Sequence, residues 1–212
     1  MKKSVYSLVL SDAVISQIDR AAYAMKTSRS ALINQILADY VSYVTPESRV
    51  RDALDLLERS FSASDLFRIQ PLASESMLTL LAPIEFKYNP TVRYCLAFYK
   101  EEEAPAELRV SARTQNPRLI LLFSLFYSLW NTAEENEGGD PGVLTPDARF
   151  VKRFRPQSAF SVRDLSDALS AYVRAFDRGV RIFFSHPDDR DENAAAVRRL
   201  LAEYHTDYPV FL

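Results

Sequence analysis

The sequence is poor in the residue types on which many catalytic and metal sites depend. Its 212 residues include one cysteine, two histidines and four glycines. The single Cys95 excludes an internal disulfide and a thiolate metal site. The chain also lacks a glycine-rich phosphate loop, a metalloprotease motif and a nucleophile-elbow motif. We therefore expect no enzyme, cofactor or metal, although a pair of Cys95 with a histidine, or a carboxylate site, needs no local motif.

A strong charge excess and long apolar runs are lacking as well. The formal net charge is −2, which excludes the bulk positive charge of a histone-like protein. No apolar run approaches the ~18 residues of a membrane-spanning helix, and the N-terminal run is too short for a signal peptide. We expect a folded cytoplasmic protein with no membrane partner. Any nucleic-acid contact must then come from a local surface.

The N-terminal residues 4–10, SVYSLVL, alternate as a short β-strand does. This alternation places three apolar side chains on one face of the strand and a second set of three side chains on the other face. The first set is Tyr6, Leu8 and Leu10, and the second is Val5, Ser7 and Val9.

Two amphipathic helices are predicted after this strand. Ser11 caps the first, which runs to about Met25, while Ser28 caps the second and Pro46 bounds it. One copy of ~45 residues buries too little apolar surface, and a lone strand leaves its backbone groups without partners. A symmetric homodimer, with two strands paired antiparallel over four helices, satisfies both needs.

The run YSLVLSDAVISQIDRAAYAMKTSRSALINQILADY resembles the ribbon-helix-helix family of Arc, MetJ and CopG-type repressors. The segment TSRSALI at 27–33 is its most family-like part. The resemblance implies a dimeric transcriptional repressor that lays its ribbon in the major groove of double-stranded DNA and holds a phosphate at the second helix start. The groove positions it implies are Val5, Ser7 and Val9, and the phosphate positions are Ser28, Arg29 and Ser30.

The charge of this segment favours phosphate contact. Residues 1–45 carry five basic against three acidic side chains, and we expect Lys2, Lys3 and Arg29 to dominate the affinity for DNA. Valines on the groove face contact thymine methyl groups but donate no hydrogen bond, so base discrimination should be modest. Segments that only dimerise carry the same apolar pattern, and this alternative stays open.

The turn between the two helices departs from the family pattern. Lys26 stands where many members have glycine. A lysine there must accept the local backbone conformation at some cost if its φ is positive.

The rest of the chain predicts a larger folded domain. Residues 46–65 form a linker helix, and residues 66–212 form an α+β domain with a four-stranded antiparallel meander and covering helices. The fold class is therefore α+β, with a ribbon-helix-helix module at residues 1–45. Effector sensing, higher assembly on DNA and additional DNA contact are all compatible with the larger domain.

One basic segment of this domain is a candidate for auxiliary DNA contact. ARFVKRFRPQSAFSVR interleaves basic and aromatic residues and has no acid. An ordinary solvated edge has the same composition, because arginine stems pack on apolar surface. The candidate residues are Arg149, Lys152, Arg153 and Arg155.

Overall fold

The structure is a computed structural model that describes residues 7–41, 43–71, 74–99 and 104–211. The chain divides into two compact units, a first unit that ends at Ser48 and a second unit that begins at Arg49. Helices and an antiparallel sheet both occur, as the α+β class requires.

The first unit contains both predicted helices, α1 (Asp12–Ala24) and α2 (Arg29–Tyr40). Ser11 Oγ accepts from Val14 N at 3.4 Å, and Ser28 Oγ accepts from Ala31 N at 3.2 Å, so each helix begins at a serine cap. The strand predicted over residues 4–10 lies partly outside the described residues. Residues 7–10 make no strand within the single chain.

A left-handed residue connects α1 to α2. Lys26 has a φ of 51°, so the condition under which a lysine at this position is costly is met. Thr27 N donates to Ala22 O at 2.9 Å and Lys26 N donates to Tyr23 O at 3.1 Å. This is the hydrogen-bond pattern of a Schellman motif, in which glycine is usual at the left-handed position.

The second unit combines four longer helices with one sheet. The helices are α3 (Pro46–Ser62), which begins just before the unit boundary, α4 (Pro117–Asn136), α5 (Val162–Ser185) and α6 (Arg190–Asp207), followed by a short 3₁₀ turn at Pro209–Phe211. The strands are β1 (Arg68–Gln70), β2 (Met77–Pro83), β3 (Thr91–Phe98), β4 (Ala106–Ala112), β5 (Val143–Leu144) and β6 (Phe150–Phe154).

The sheet is antiparallel and has the strand order β1-β2-β3-β4-β6-β5. It therefore has six strands where the sequence pattern predicts four. Of the two additional strands, β6 lies in the basic segment that we interpreted as a candidate DNA contact, and β5 lies shortly before it. Within β6, Phe150, Lys152 and Phe154 are buried while Arg153 is exposed, which is the alternation of a strand covered on one face.

One face of the sheet packs against the helices. The inward residues of β3, Val92, Tyr94 and Leu96, belong to a core that also contains Trp130 of α4 and Phe176 of α5. Trp130 is fully buried, and its Nε1 donates to the Tyr172 hydroxyl at 2.8 Å. Aromatic rings dominate this core, many of them in edge-to-face or tilted contact.

Helix α3 contributes to the same core. Leu54, Leu57 and Phe61 are buried in it. The helix that we predicted as a separate linker thus packs with the second unit from Arg49 onward. An apolar stripe in a sequence does not show which unit it will contact, and this explains the difference.

None of the helices in the described ranges is long and apolar enough to cross a membrane.

Candidate nucleic-acid interface

The first unit leaves much of its apolar surface exposed in a single copy. Ala22, Leu32 and Ala38 are its buried apolar residues among those described. The exposed set, named here the apolar surface of the first unit, consists of Leu8, Val9, Val14, Tyr23, Met25, Ile36, Leu37, Tyr40, Val41, Tyr43 and Val44. So many exposed apolar side chains in so short a segment indicate an interaction surface.

Exposed polar groups mark the start of α2. Ser28, Arg29 and Ser30 are all exposed, and the positive end of the helix dipole lies there. The Ser28 hydroxyl serves as the helix cap. The three residues predicted to hold a phosphate are therefore adjacent and accessible.

An ion pair joins α1 to this helix start. Arg29 Nε donates to Asp19 Oδ1 and Arg29 Nη2 donates to Asp19 Oδ2, both at 2.6 Å. The hydrogen bonds from Arg29 lower the pKa of Asp19, and those same bonds raise the pKa of Arg29. Both side chains are about half exposed, at 54% and 45%, so water weakens the pair. A phosphate would compete with Asp19 for part of the guanidinium.

The predicted groove residues are only partly described. Ser7 is exposed and the relative exposure of Val9 is 101%. Lys2, Lys3 and Val5 lie outside the described residues.

The basic segment of the second unit does not form one surface. Lys152 is 1% exposed, and its Nζ donates to Glu134 Oε1 and to Asp140 O, each at 2.5 Å. The prediction that Lys152 contacts DNA is therefore not compatible with its burial on the helix side of the sheet. The composition of the segment suggested an edge, whereas strand alternation turns Lys152 inward and Arg153 outward.

The three candidate arginines of that segment, Arg149, Arg153 and Arg155, are exposed but engaged. Arg149 pairs with Asp147 at 2.7 Å, and Arg155 pairs with Asp140 at 2.7 Å. Arg153 pairs with Glu107 at 2.9 Å. The pairs of Arg149 and Arg155 are exposed on both sides and contribute little stability, whereas the Glu107 partner of Arg153 is buried.

A buried polar network surrounds Lys152. Glu134 accepts from Lys152 through Oε1 and from the Tyr172 hydroxyl through Oε2 at 2.9 Å. Burial raises the pKa of Glu134, and the Lys152 charge opposes this shift. In the run FVKRF, Lys152 alternates with Phe150 and Phe154, and this strand pattern indicates that the lysine shares their buried face. Nothing in the sequence identifies Glu134 as its partner.

His205 lies beside this network. A Cβ placed on Gly139 would lie 3.0 Å from both Glu134 Cγ and His205 Cε1. Both ring nitrogens of His205 are buried without a well-formed hydrogen bond. Burial lowers the pKa of His205, the Lys152 charge adds to this, and Glu137 opposes it. The network itself is structural: the ion pair of Lys152 with Glu134 joins β6 to α4, and the Tyr172 hydroxyl joins α5 to the same carboxylate.

Metal chemistry has no visible support in the described part of the chain, where no group of three histidine, cysteine, aspartate or glutamate side chains is placed to hold an ion.

Comparison of the chain with protein-family models, with curated proteins and with solved structures found no match.

Proposed function

We propose that the protein is a homodimeric DNA-binding protein that acts as a transcriptional repressor. The observation that carries the proposal is the apolar surface of the first unit, which a second copy of the same segment would cover. Two copies of residues 4–10 would pair as an antiparallel ribbon and close the lone strand edge. The finer description of the first unit as a ribbon-helix-helix module belongs to this proposal.

The DNA contact is supported by charge and by the geometry of α2. Residues 1–45 carry five basic against three acidic side chains, and a dimer doubles this excess. Ser28, Arg29 and Ser30 are exposed at a helix start, where phosphates bind well. The proposed mechanism is occupancy of an operator by one dimer or by adjacent dimers.

A dimeric scaffold is the second candidate. The fully exposed Val9 and the engagement of Arg29 by Asp19 favour it, because Val9 has no donor for DNA and Asp19 occupies two of the five N–H donors of Arg29. In a scaffold the second unit would bind a protein or a small molecule.

The Asp19 and Arg29 pair allows a sharp test of DNA binding. Asp19→Asn keeps the Arg29 charge and releases it from its partner, so we expect binding to duplex DNA to be unchanged or tighter. Asp19→Asn combined with Arg29→Gln removes the charge without leaving an unpaired carboxylate. We expect this double variant to bind more weakly and to lower the slope of log K against log salt by ~0.9 for each phosphate that is no longer neutralised.

The DNA titration is run at two or more salt concentrations with the full chain. Arg199→Gln with Glu203→Gln, two exposed residues of α6, is the matched control, because it also removes one positive and one negative charge. Identical affinity and slope for the control, for the single variant and for the double variant would contradict DNA binding through α2.

Dimerisation is tested separately by sedimentation. Leu37→Lys places a charge in the apolar surface of the first unit, where Leu37 is 50% exposed, and we expect it to shift the protein towards monomer. Leu66→Lys, at a site 53% exposed in the second unit, is the control. A wild-type protein that is monomeric at micromolar concentration would rule out both candidate functions.

A further inference from the structure

The sheet of the second unit has a second face, opposite the helices. Side chains at alternate positions point there, and most of them are exposed or half-buried. The described helices of this unit bury their apolar residues in the core on the other side. We name this second surface the open face of the sheet.

Four exposed arginines lie on the open face: Arg68, Arg93, Arg109 and Arg153. The strand register arranges them. Arg68 and Arg93 both lie opposite Leu81 in the row across β1, β2 and β3. Arg109 lies opposite Cys95, two residues further along β3, and Arg153 lies opposite Glu107, two residues further again along β4. The arginines therefore form one diagonal stripe, named here the arginine stripe.

The dimensions of the stripe follow from ordinary sheet geometry. With strands ~4.8 Å apart and a rise of ~3.3 Å per residue, successive Cα positions in the stripe are roughly 8–10 Å apart and its length is roughly 23 Å. The stripe thus presents one arginine roughly every 8–10 Å. The positive charges are therefore arranged in a line.

Glu107 is the acid that joins this stripe. It is buried, with a side-chain exposure of 4%, and it accepts from Arg109 Nε at 2.6 Å and from Arg153 Nε at 2.9 Å. Burial alone would raise the pKa of Glu107, but hydrogen bonds from Arg153 and Arg109 hold it below its usual value. Glu107 thus stays charged and orients Arg109 and Arg153. The hydrogen bond that Arg93 donates, by contrast, involves no acid.

The remaining contacts also orient the arginines. Arg93 Nη2 donates to Gln70 Oε1 at 2.8 Å, and Arg109 Nη2 donates to the Tyr99 hydroxyl at 2.9 Å. These neutral acceptors fix the side chains without cancelling their charge. Arginine, with its fork of N–H donors, is well suited to bidentate contact with phosphate.

We propose that the arginine stripe binds the phosphate backbone of duplex DNA, as a contact surface additional to the one proposed for the first unit. This contact rests on the proposed DNA-binding function and assigns a role to the second unit. A linear series of positive charges on a pleated surface complements a linear series of phosphates. The contact would be independent of base sequence, because phosphates carry no base information.

The test removes the two arginines that do not contact Glu107. Arg68→Gln with Arg93→Gln takes away two positive charges and leaves the buried Glu107 with both of its partners. Arg198→Gln with Arg199→Gln, at exposed positions of α6 in the same unit, is the matched control. The probe is a random-sequence DNA duplex of about 30 base pairs, titrated with the full chain at several salt concentrations.

We expect the stripe variant to lower the salt slope by up to ~2 per chain and to weaken binding at least tenfold at low salt, while the control keeps wild-type values. Arg68→Lys with Arg93→Lys keeps both positive charges, so we expect it to restore much of the salt slope. A loss of binding caused by a folding defect would not be restored by charge in this way. A stripe variant that matches the control in affinity and slope overturns the inference.

Two further arms separate the stripe contact from the proposed function. If Asp19→Asn with Arg29→Gln leaves binding unchanged while the stripe variant weakens it, the stripe contact stands and the contact at α2 fails. The reverse result overturns the stripe contact alone. Poly-glutamate that binds in a stripe-dependent way, with no stripe-dependent DNA binding, overturns the inference by assigning the surface to an acidic protein.

Discussion

At the scale of single residues, the buried pair of Lys152 and Glu134 shows that the tertiary contacts of a residue, and not the composition of its segment, decide its role. The lysine comes from a segment with the composition of a DNA-binding surface, yet its ammonium group lies in the core against Glu134 and the carbonyl of Asp140. A charge in such a position is tolerated only while its partner is present.

We expect Lys152→Met to lower the free energy of unfolding by ~3–5 kcal/mol, because it leaves the Glu134 carboxylate buried and uncompensated. Glu134→Gln combined with Lys152→Met should recover much of this stability, since neither charge remains. Urea unfolding at neutral pH measures both effects. A single variant as stable as the double variant would show that Glu134 readily finds another partner or protonates at little cost.

The second residue-scale prediction concerns His205. Its pKa is lowered by burial and by the Lys152 charge, so below the ordinary value of 6.5 the unfolded chain binds a proton that the folded chain resists. Stability should therefore fall as the pH drops from 6.5 towards the folded-state pKa. We expect His205→Gln to flatten this dependence.

The control for that experiment is His186→Gln, because His186 is the other histidine and is exposed. Unfolding free energies are compared between pH 7 and pH 5. If His186→Gln flattens the curve and His205→Gln does not, the assignment of the pH dependence to His205 is incorrect.

Residue-scale features were predictable where they follow from local rules. Ser11 and Ser28 cap helices as their sequence positions indicate, and the consequence of a positive φ at Lys26 follows from its place in the turn. The partners of Lys152 and Arg153 were not predictable, because Glu134 and Glu107 are brought close only by the tertiary fold.

At the scale of elements, the turn between α1 and α2 is strained at Lys26, which has a positive φ. Lys26→Gly should stabilise the first unit by ~0.5–1 kcal/mol, because glycine adopts positive φ without the steric cost that lysine meets there. Hydrogen exchange of α1 and α2 amides in the full chain measures the change.

Ala24→Gly is the matched control for that substitution. It introduces the same residue two positions earlier, at the last residue of α1, where we expect stability to fall by at most the about 1 kcal/mol that glycine costs in a helix interior. Equal effects of the two substitutions would mean that the left-handed conformation of Lys26 costs the unit nothing.

The helices of the chain were easier to predict than its strands. Capped apolar stripes marked α1 and α2, whereas β5 has only two residues and β6 has the adjacent basic residues Lys152 and Arg153 in its second half. Short strands depend on their neighbours for hydrogen bonds. Their existence is therefore decided by the sheet rather than by their own composition.

At the scale of the whole molecule, the division after Ser48 has a thermodynamic consequence. The first unit is proposed to depend on a second copy, whereas the second unit has its own aromatic core. We expect two unfolding transitions by calorimetry, of which only the one from the first unit rises in temperature with protein concentration.

The control is the Leu37→Lys variant, in which the concentration-dependent transition should weaken or vanish while the other stays in place. A single cooperative transition in the wild-type protein would show that the two units do not unfold independently. The sequence predicts the division at residue 45 with a separate linker, and its apolar pattern could not show that α3 packs with the later residues.

The position of Trp130 supplies a natural reporter for these experiments. It is the sole tryptophan of the chain, it belongs to the second unit, and it is buried with its indole nitrogen donating to Tyr172. Tryptophan fluorescence therefore follows the second unit alone, while the first unit contributes only tyrosine emission. The unlabelled protein thus carries a built-in signal for the opening of the second unit, which can be set against a probe of the whole chain such as circular dichroism.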